Sequence, residues 1–459
     1  MPLKALEVDV ITYGKTMQGD KVHYDASGVP SDEAAFLTDV ATQKPKHLFV
    51  ISHGWNNDES EADTLYDNFF KAMDSVWAQF PAIDPTTCFT LGVIWPSKMF
   101  DENAFAAIAP SLPGTAPAIR GTAAAMQPDA FDAQLTAQLT VLKQIANNPT
   151  ADQLLDHAIN QITLLGVSQS AQDDFVAALA GAFPAPPQES DPGVDGGLAH
   201  LTTMQGHIAL ATISRTLNAR AVPAQGAFLG GAAQLGGALG FNPIQAVKDA
   251  ALALANVTTY WTIKERAGLI GRTGVAQTIA KTLVDVPGIK VHLIGHSFGG
   301  RLVTAAANAL TGGSPGHQVA TMSLLQAAYS HFGLATNYQP NVDGVFRSVI
   351  TSKKVTGEIQ VTHSVHDVAV GLAYPIASAL ANQIGQGLFI NPWGGMGADG
   401  ARATPEALDD TLRPVGQAYQ PLPTGKMVRN LNGDAIIQNH GDVTHDEIAF
   451  TVLRAVSLA

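Results

Sequence analysis

The sequence predicts an α/β protein whose mostly parallel sheet is flanked by helices and interrupted by a large helical insertion. Short apolar runs alternate with helical patterns at both ends of the chain, as in parallel strands joined by helical crossovers. This alternation stops near residue 100 and resumes near residue 257. A strand, a glycine-rich turn and a helix then follow one another around Ser297. We therefore expect a first core segment at 1–100, an insertion at 101–256 and a second core segment at 257–459.

The composition describes a folded, acidic chain. Of its 459 residues 46% are hydrophobic and 14% are charged, and the formal net charge is −13. This charge, without a basic cluster, argues against binding to nucleic acid. Cys88 is the single cysteine, so no intramolecular disulfide can form, and we expect a buried thiol. Residues 1–7 lack the apolar core of a signal peptide, and no apolar run favours a transmembrane helix. The expected location is therefore cytoplasmic, and export without an N-terminal signal stays open.

The first core segment contains three predicted strands and one long helix. Residues 6–13 alternate apolar and polar side chains, which predicts an edge strand. The runs at 46–52 and 88–94 are continuously apolar, as expected for strands buried on both faces. Between them lies a helical pattern that ends at Pro81.

The insertion is predicted to be helical at 128–147, 150–165 and 171–183. Further on, residues 221–247 carry no charge and contain two G-x-x-x-G patterns. One interpretation is contact with a membrane, and the other is a closely packed or mobile surface segment of a cap. The two prolines, six glycines and few large aliphatic residues of this segment favour the second interpretation.

The second core segment repeats the strand and helix alternation. A long helical pattern covers 258–284, and an apolar run at 290–294 precedes the glycine-rich turn. Further strands are predicted at 319–325 and 358–364, and the last helix at 446–458.

The G-x-S-x-G motif from Gly295 to Gly299 has the form of a nucleophile elbow. In such a turn the serine hydroxyl, here that of Ser297, stands clear of the sheet. Glycines are expected on both sides because larger side chains would collide there. The helix that follows directs its N-terminal N–H groups at the place where negative charge develops in acyl transfer.

A nucleophilic serine needs a base that removes its proton and an acid that orients the base. In this arrangement the acid follows the serine along the chain, and the histidine follows the acid. Asp367 comes shortly after a predicted strand and is the candidate acid, with a turn or helix-capping carboxylate as the alternative. The base is His440 or His445. A capping-box pattern, T-x-x-E from residue 444, places His445 in the first turn of the last helix, where the helix dipole disfavours imidazolium, so His440 is favoured.

Two backbone N–H groups should form an oxyanion hole. Phe298 directly follows the nucleophile, and Trp55 lies in the loop after a buried strand. Gly54 is expected to permit an unusual backbone there, and the side chain of His53 to prop the loop. We assign His53, Gly54 and His296 to the substrate-binding region.

With these segments in place, the chain resembles the α/β-hydrolase superfamily, particularly its bacterial serine esterase and lipase-like members. The resemblance rests on 51–55, 293–300, 362–364 with Asp367, and 440–442, and it covers the chain from about Lys46 onward without the insertion. It implies a twisted, mostly parallel, eight-stranded sheet and hydrolysis through an acyl-enzyme with no metal or organic cofactor. The insertion departs from the family, because many family lids follow the strand after the elbow helix, whereas this insertion precedes the elbow.

The expected function is therefore hydrolysis of carboxylic esters, with a small-molecule or lipid ester as substrate. The charge-poor insertion favours hydrophobic acyl groups, while amidase, thioesterase and polyester hydrolase activities stay open. Two other hypotheses are a non-catalytic binding protein on the same scaffold and a membrane-acting lipase or toxin that contacts the membrane through 221–247. A metal site at His363, His366 and Asp367 is not expected, because no second spaced cluster accompanies them. The oligomeric state is not predicted.

Overall fold

The computed structural model describes residues 11–55, 57–97, 128–183, 201, 204–220, 243–311, 318–367 and 394–459. These residues divide into two compact units. The sheet unit holds the described residues of Met1–Lys98, Ile263–Gly371 and Gly394–Ala459, and the helical unit holds those of Met99–Thr262.

The described residues of the sheet unit form a nine-stranded sheet in the order β1-β2-β4-β3-β5-β6-β7-β9-β8. Its strands are β1 (Ile11–Tyr13), β2 (Met17–His23), β3 (His47–Ser52), β4 (Cys88–Ile94), β5 (Lys290–His296), β6 (Thr321–Leu325), β7 (Ile359–His363), β8 (Ala407–Thr411) and β9 (Val428–Asn432). Every neighbouring pair is parallel except β1 with β2. The α/β class and the mostly parallel sheet are thus confirmed, with nine strands instead of the expected eight.

The helices follow in chain order. They are α1 (Glu33–Gln43), α2 (Glu59–Val76), α3 (Pro128–Ala146), α4 (Pro149–Gln161), α5 (Gln169–Ala182), α6 (Gly206–Arg220), α7 (Pro243–Ile270), α8 (Ala276–Asp285), α9 (Phe298–Ala309), α10 (Arg347–Thr351), α11 (Met396–Asp399) and α12 (Asp446–Leu458). A π-helical turn, Gly271–Val275, joins α7 to α8. Among the described residues, no helix is long and apolar enough to cross a membrane.

The central strands are buried on both faces of the sheet. β4, β6 and β7 have no exposed residue along their length. On one face α2 and α12 pack against the sheet in a single hydrophobic cluster, in which the rings of Phe80 and Phe450 lie 5.2 Å apart. Each fully buried large side chain of this kind contributes about 1.5–3 kcal/mol. Cys88 is buried as predicted, and burial raises the pKa of its thiol to about 12.

The helical unit forms as the sequence pattern indicates. The apolar stripe of α3 is buried along its length, and Asn148 and Ser168 cap α4 and α5 with their side-chain oxygens. Residues 184–193 lie outside the described residues, as do residues 221–242 of the uncharged segment.

Three strands were not predicted, because their polar residues interrupt the apolar pattern that indicates a strand. β2 carries Asp20 and Lys21, and β8 lies at the sheet edge with a polar sequence. β9 contains Arg429, whose buried guanidinium pairs with Glu358 and Asp410. A charged residue in a strand interior looks like a surface residue until its partners are known.

The structure differs from the sequence pattern at one predicted helix and at one short apolar stretch. The helix expected at 258–284 begins at Pro243, which suits the first turn of a helix, and a π-helical turn divides it. Residues 435–437, which look like a strand in the sequence, form a turn closed by the N–H groups of Ile436 and Ile437 on the carbonyl of Gly433. Residues 6–10 of the predicted first strand lie outside the described residues.

The parallel topology prepares one edge of the sheet for a site. β5 lies between β3 and β6, with Gly295 opposite Ser52 on one side and Leu324 on the other. Carboxyl ends of parallel strands meet at the same edge. The residues that follow β3, β5, β6, β7 and β9 are therefore neighbours in space, although they lie far apart in sequence.

Candidate active site

Ser297 forms the turn between β5 and α9 in a strained conformation. Its φ and ψ angles are 57° and −124°, which a non-glycine residue adopts at a cost of about 1–3 kcal/mol. Three hydrogen bonds hold the turn: the Ser297 N–H donates to Leu325 O (3.1 Å), and its carbonyl accepts from the N–H groups of Gly300 (3.0 Å) and Ala328 (2.9 Å). The predicted strained serine turn is confirmed.

Close packing explains the glycines on both sides of this turn. A Cβ atom at Gly295 would lie 2.4 Å from the oxygen of Gly299, and one at Gly299 would lie 2.2 Å from Ser52 O. At Gly300 it would lie 2.6 Å from Ala327 Cβ. Because these contacts are far shorter than van der Waals distance, α9 can approach the sheet only without side chains at these positions.

Gly54 meets the same requirement from the neighbouring strand. A Cβ atom there would lie 2.5 Å from Ser297 Cβ and 3.1 Å from Ser297 Oγ. Gly54 does not adopt a positive φ angle. The prediction that it permits an unusual backbone is therefore wrong, and its function is to let the loop touch the serine.

Ser297, His440 and Asp367 lie in one hydrogen-bonded series. The Nε2 atom of His440 is 2.7 Å from Ser297 Oγ, and its Nδ1 atom is 2.9 Å and 3.0 Å from the two carboxylate oxygens of Asp367. The Asp367 side chain is wholly buried, whereas that of His440 is 22% exposed. An Nδ1–H that donates to the carboxylate leaves Nε2 to accept the serine O–H.

The acid is held by a short turn after β7. The Asp367 N–H donates to Ser364 O (3.0 Å), and Ser364 Oγ donates to Ile437 O (3.0 Å). Gly397 packs so closely that a Cβ atom there would lie 2.6 Å from Asp367 Oδ2. These contacts fix the carboxylate between two loops. Residues 368–370 lie outside the described residues.

His445 does not reach Ser297, and the capping-box prediction is wrong. His445 itself is the N-cap of α12, because its carbonyl accepts the first helical hydrogen bonds, from Ile448 and Ala449. Its ring contacts Asp442 (Nε2 to Oδ1, 2.7 Å). The other oxygen of Asp442 accepts the N–H of Gln438 (2.9 Å), so this pair shapes the loop that carries His440.

The two predicted oxyanion donors lie beside the nucleophile. Phe298 begins α9 directly after Ser297, where the positive end of the helix dipole lies. Trp55 follows Gly54, and the ring centroids of Trp55 and Phe298 are 6.3 Å apart. The loop after β3 and the start of α9 thus face each other across Ser297.

His53 props the loop from below, as predicted. Its N–H donates to the Tyr66 hydroxyl (2.8 Å), its Nδ1 is 3.0 Å from Gly54 O, and its Nε2 accepts from the Trp95 N–H (3.3 Å). Burial lowers the pKa of this ring to about 4, so the ring is neutral near pH 7. The ring has no exposed surface, which does not support the expectation that it contacts a substrate.

His296 contacts the main chain of the histidine loop. Its Nε2 atom is 2.9 Å from His440 O, and the centroids of the two rings are 5.0 Å apart. Burial, with a smaller contribution from His440, lowers the pKa of His296 to about 3. The structure therefore places this residue, which we assigned to substrate binding, in contact with the candidate base.

Sequence reasoning missed Gln326. It follows β6 directly, is fully buried, and adopts a φ angle of 42°. Its Nε2 atom donates to Asn439 O (3.3 Å), next to His440. The one available signal was its position after a buried strand, at the edge where Ser297 also lies.

Among the described residues, no group of three or more histidine, cysteine, aspartate or glutamate side chains is arranged to hold a metal ion. No protein-family model, curated protein or solved structure matches this chain. The fold and the site together define an α/β protein in which a strained serine, a half-buried histidine and a buried aspartate are hydrogen-bonded in series.

Proposed function

We propose that this protein is a serine hydrolase of carboxylic esters, an esterase or lipase of the α/β-hydrolase superfamily. The observation that carries the proposal is the series of contacts from Ser297 Oγ through His440 to Asp367, at 2.7 Å and 2.9 Å. The strain at Ser297 supports it, because a costly backbone conformation that presents a hydroxyl to a base has a ready explanation in catalysis.

In the proposed reaction Ser297 Oγ attacks the ester carbonyl carbon while His440 Nε2 takes the serine proton. Asp367 stabilises the resulting imidazolium through Nδ1–H. The oxygen of the tetrahedral intermediate accepts hydrogen bonds from the N–H groups of Phe298 and Trp55. A donor of this kind typically lowers the barrier by about 3 kcal/mol.

The intermediate then collapses to an acyl-enzyme. His440 gives its proton to the departing alkoxide, which leaves as the alcohol. A water molecule attacks the acyl carbon, and His440 accepts its proton and returns one to Ser297 Oγ as the carboxylic acid leaves. The cycle consumes one water and needs no change in oxidation state.

The electrostatics of the site suit this role for His440. The ring of His296 lies 5.0 Å from that of His440, and His53 precedes Gly54 in the loop after β3. Burial keeps both rings neutral near pH 7, with a pKa of about 3 for His296 and about 4 for His53. No second imidazolium therefore opposes the positive charge that His440 acquires.

We assign the helical unit to the proposed cap. It is inserted between β4 and β5, and it forms a compact unit of its own. We propose that this unit selects the acyl group of the substrate, and its apolar sequence favours hydrophobic ones.

A fluorophosphonate probe tests the proposal directly. We expect the full-length protein to be labelled, the Ser297→Ala variant to resist labelling, and the Ser457→Ala variant to behave as wild type. Ser457 is an exposed serine at the end of α12 and serves as the matched control. p-Nitrophenyl esters with short, medium and long acyl chains then report the substrate preference. A wild-type protein that is neither labelled nor active on any of these esters would refute the proposal.

A further inference from the structure

Two buried side chains from neighbouring strands hold the main chain of the loop that carries His440. His296, the last residue of β5, contacts His440 O through Nε2 at 2.9 Å. Gln326, directly after β6, contacts Asn439 O through Nε2 at 3.3 Å. Two successive carbonyl groups of the loop thus accept hydrogen bonds from side chains anchored in the sheet. We call His296 and Gln326 the carbonyl clamp.

The hydrogen bond from His296 has a defined direction. A carbonyl oxygen can only accept, so Nε2 carries the hydrogen atom and donates. In the neutral ring Nδ1 is then a bare acceptor, and among the described residues this buried atom has no hydrogen-bond partner. An unpaired buried nitrogen opposes stability. The Nε2–H donor is therefore the polar contact that the structure provides for a histidine at this position.

The direction of the Gln326 amide is also defined. The Thr362 hydroxyl accepts from the Gln326 N–H (3.1 Å) and donates to Gln326 Oε1 (3.0 Å). With Oε1 occupied in this way, the amide nitrogen faces Asn439 O. The positive φ angle of Gln326 adds strain that the surrounding contacts must hold in place.

The carbonyl clamp connects the loop of His440 to the sheet by hydrogen bonds. Between Gln438 and Asp442, other main-chain hydrogen bonds stay inside the loop: Gly441 N–H donates to Asn439 Oδ1, Asp442 N–H to Asn439 O, and Gln438 N–H to Asp442 Oδ2. Internal bonds fix the shape of a loop but not its place against the sheet. The contacts of His296 and Gln326 fix that place, together with the bond from Ser364 Oγ to Ile437 O at the start of the loop.

We infer that His296 and Gln326 are positioning residues, which set the distance from the His440 ring to Ser297 and Asp367. The expected effect on rate depends on the proposed hydrolase function, whereas the geometric claim does not. Misplacing a reacting group by about 1 Å can lower a rate by about 100-fold. A loosened clamp should therefore lower kcat while leaving KM nearly unchanged.

Three variants separate the donor from the bulk of the side chain. His296→Phe keeps a ring but removes the N–H, His296→Gln restores an N–H at similar reach, and Gln326→Met keeps the length without a donor. His47→Phe is the matched control. His47 begins β3 at the opposite edge of the sheet, and this variant also loses a hydrogen bond of a ring nitrogen, between His47 Nδ1 and His292 Nε2 at 3.0 Å.

We expect His296→Phe and Gln326→Met to lower kcat by about 10- to 100-fold with KM within about threefold of wild type. His296→Gln should recover most of the activity, and His47→Phe should keep it.

A proton NMR measurement tests the clamp independently of any activity. The His440 Nδ1–H should give a downfield resonance that is absent in His440→Ala, present in wild type, His296→Gln and His47→Phe, and broadened in His296→Phe and Gln326→Met. An unchanged resonance in both donor-free variants would overturn the inference, and so would a His296→Gln variant that behaves like His296→Phe. If His296→Phe does not fold, Gln326→Met carries the test. Failure of the proposed function would instead appear as a wild-type protein without labelling or hydrolysis.

Discussion

Replacing Gly54 with alanine should separate the loop after β3 from the nucleophile. The added methyl carbon would lie 2.5 Å from Ser297 Cβ, whereas ordinary contact begins near 3.4 Å. The loop or the serine turn must therefore move by about 0.9 Å, the difference between the two distances. A displacement of about 1 Å in a catalytic arrangement costs about 100-fold in rate, so we expect kcat/KM for a p-nitrophenyl ester to fall by about this factor.

The control for this variant is Gly441→Ala in the histidine loop. A Cβ atom there would meet only Asn439 Oδ1, at 3.6 Å, so activity should stay within about threefold of wild type. Thermal unfolding of all three proteins distinguishes a local shift from loss of the fold. A folded Gly54→Ala variant with wild-type kcat/KM would show that the close approach of the loop to Ser297 does not matter for the reaction.

Three further predictions follow from named contacts. His440→Ala should lower kcat by about 10⁵-fold or more, as the loss of a triad base does. His445→Ala should lower kcat by less than about tenfold. Similar losses in the two variants would refute our choice of base. Arg301 is fully buried and pairs with Glu265 at 2.8 Å, so Arg301→Ala should lower the free energy of unfolding in urea by about 3–5 kcal/mol, and a loss below about 1 kcal/mol would contradict this. The pKa of His53 is about 4 in the fold and about 6.5 in the unfolded chain, so the unfolded chain binds the proton first. Stability should therefore fall as pH falls from about 6.5 to about 4, by about 3 kcal/mol more in wild type than in His53→Gln, and parallel curves for the two proteins would refute this.

The main part of the sheet could be predicted because the local pattern of apolar residues indicates its strands. β3, β4, β5 and β6 are short runs rich in apolar residues, as burial on both faces favours, and β7 alternates apolar with polar residues. β9 could not be predicted, since Arg429 in its centre is tolerated only through partners on other elements. The stretch at 435–437 misleads in the opposite sense, because it is apolar like a buried strand but forms a turn.

The candidate site was predictable where chain order carries the information. The glycines around Ser297, the acid after β7 and a histidine before the last helix follow from the geometry of an elbow on a parallel sheet. The local pattern was misleading for the choice between the two histidines. The capping box that argued against His445 does not form, since His445 itself is the N-cap of α12. The ring of His445 is bound to Asp442, whereas the ring of His440 contacts Ser297.

The sequence by itself determined the class of fold, the serine turn, and the serine and aspartate that meet there, and it left two histidines, His440 and His445, as candidates for the third side chain. These depend on apolar period, glycine spacing and order along the chain, which are local properties of a sequence. Only the tertiary structure decided why Gly54 has no side chain, that the ring of His53 is buried, and that His296 and Gln326 hold the loop of His440. Each of these depends on atoms that lie far apart in sequence and meet only because parallel strands bring their carboxyl ends to one edge.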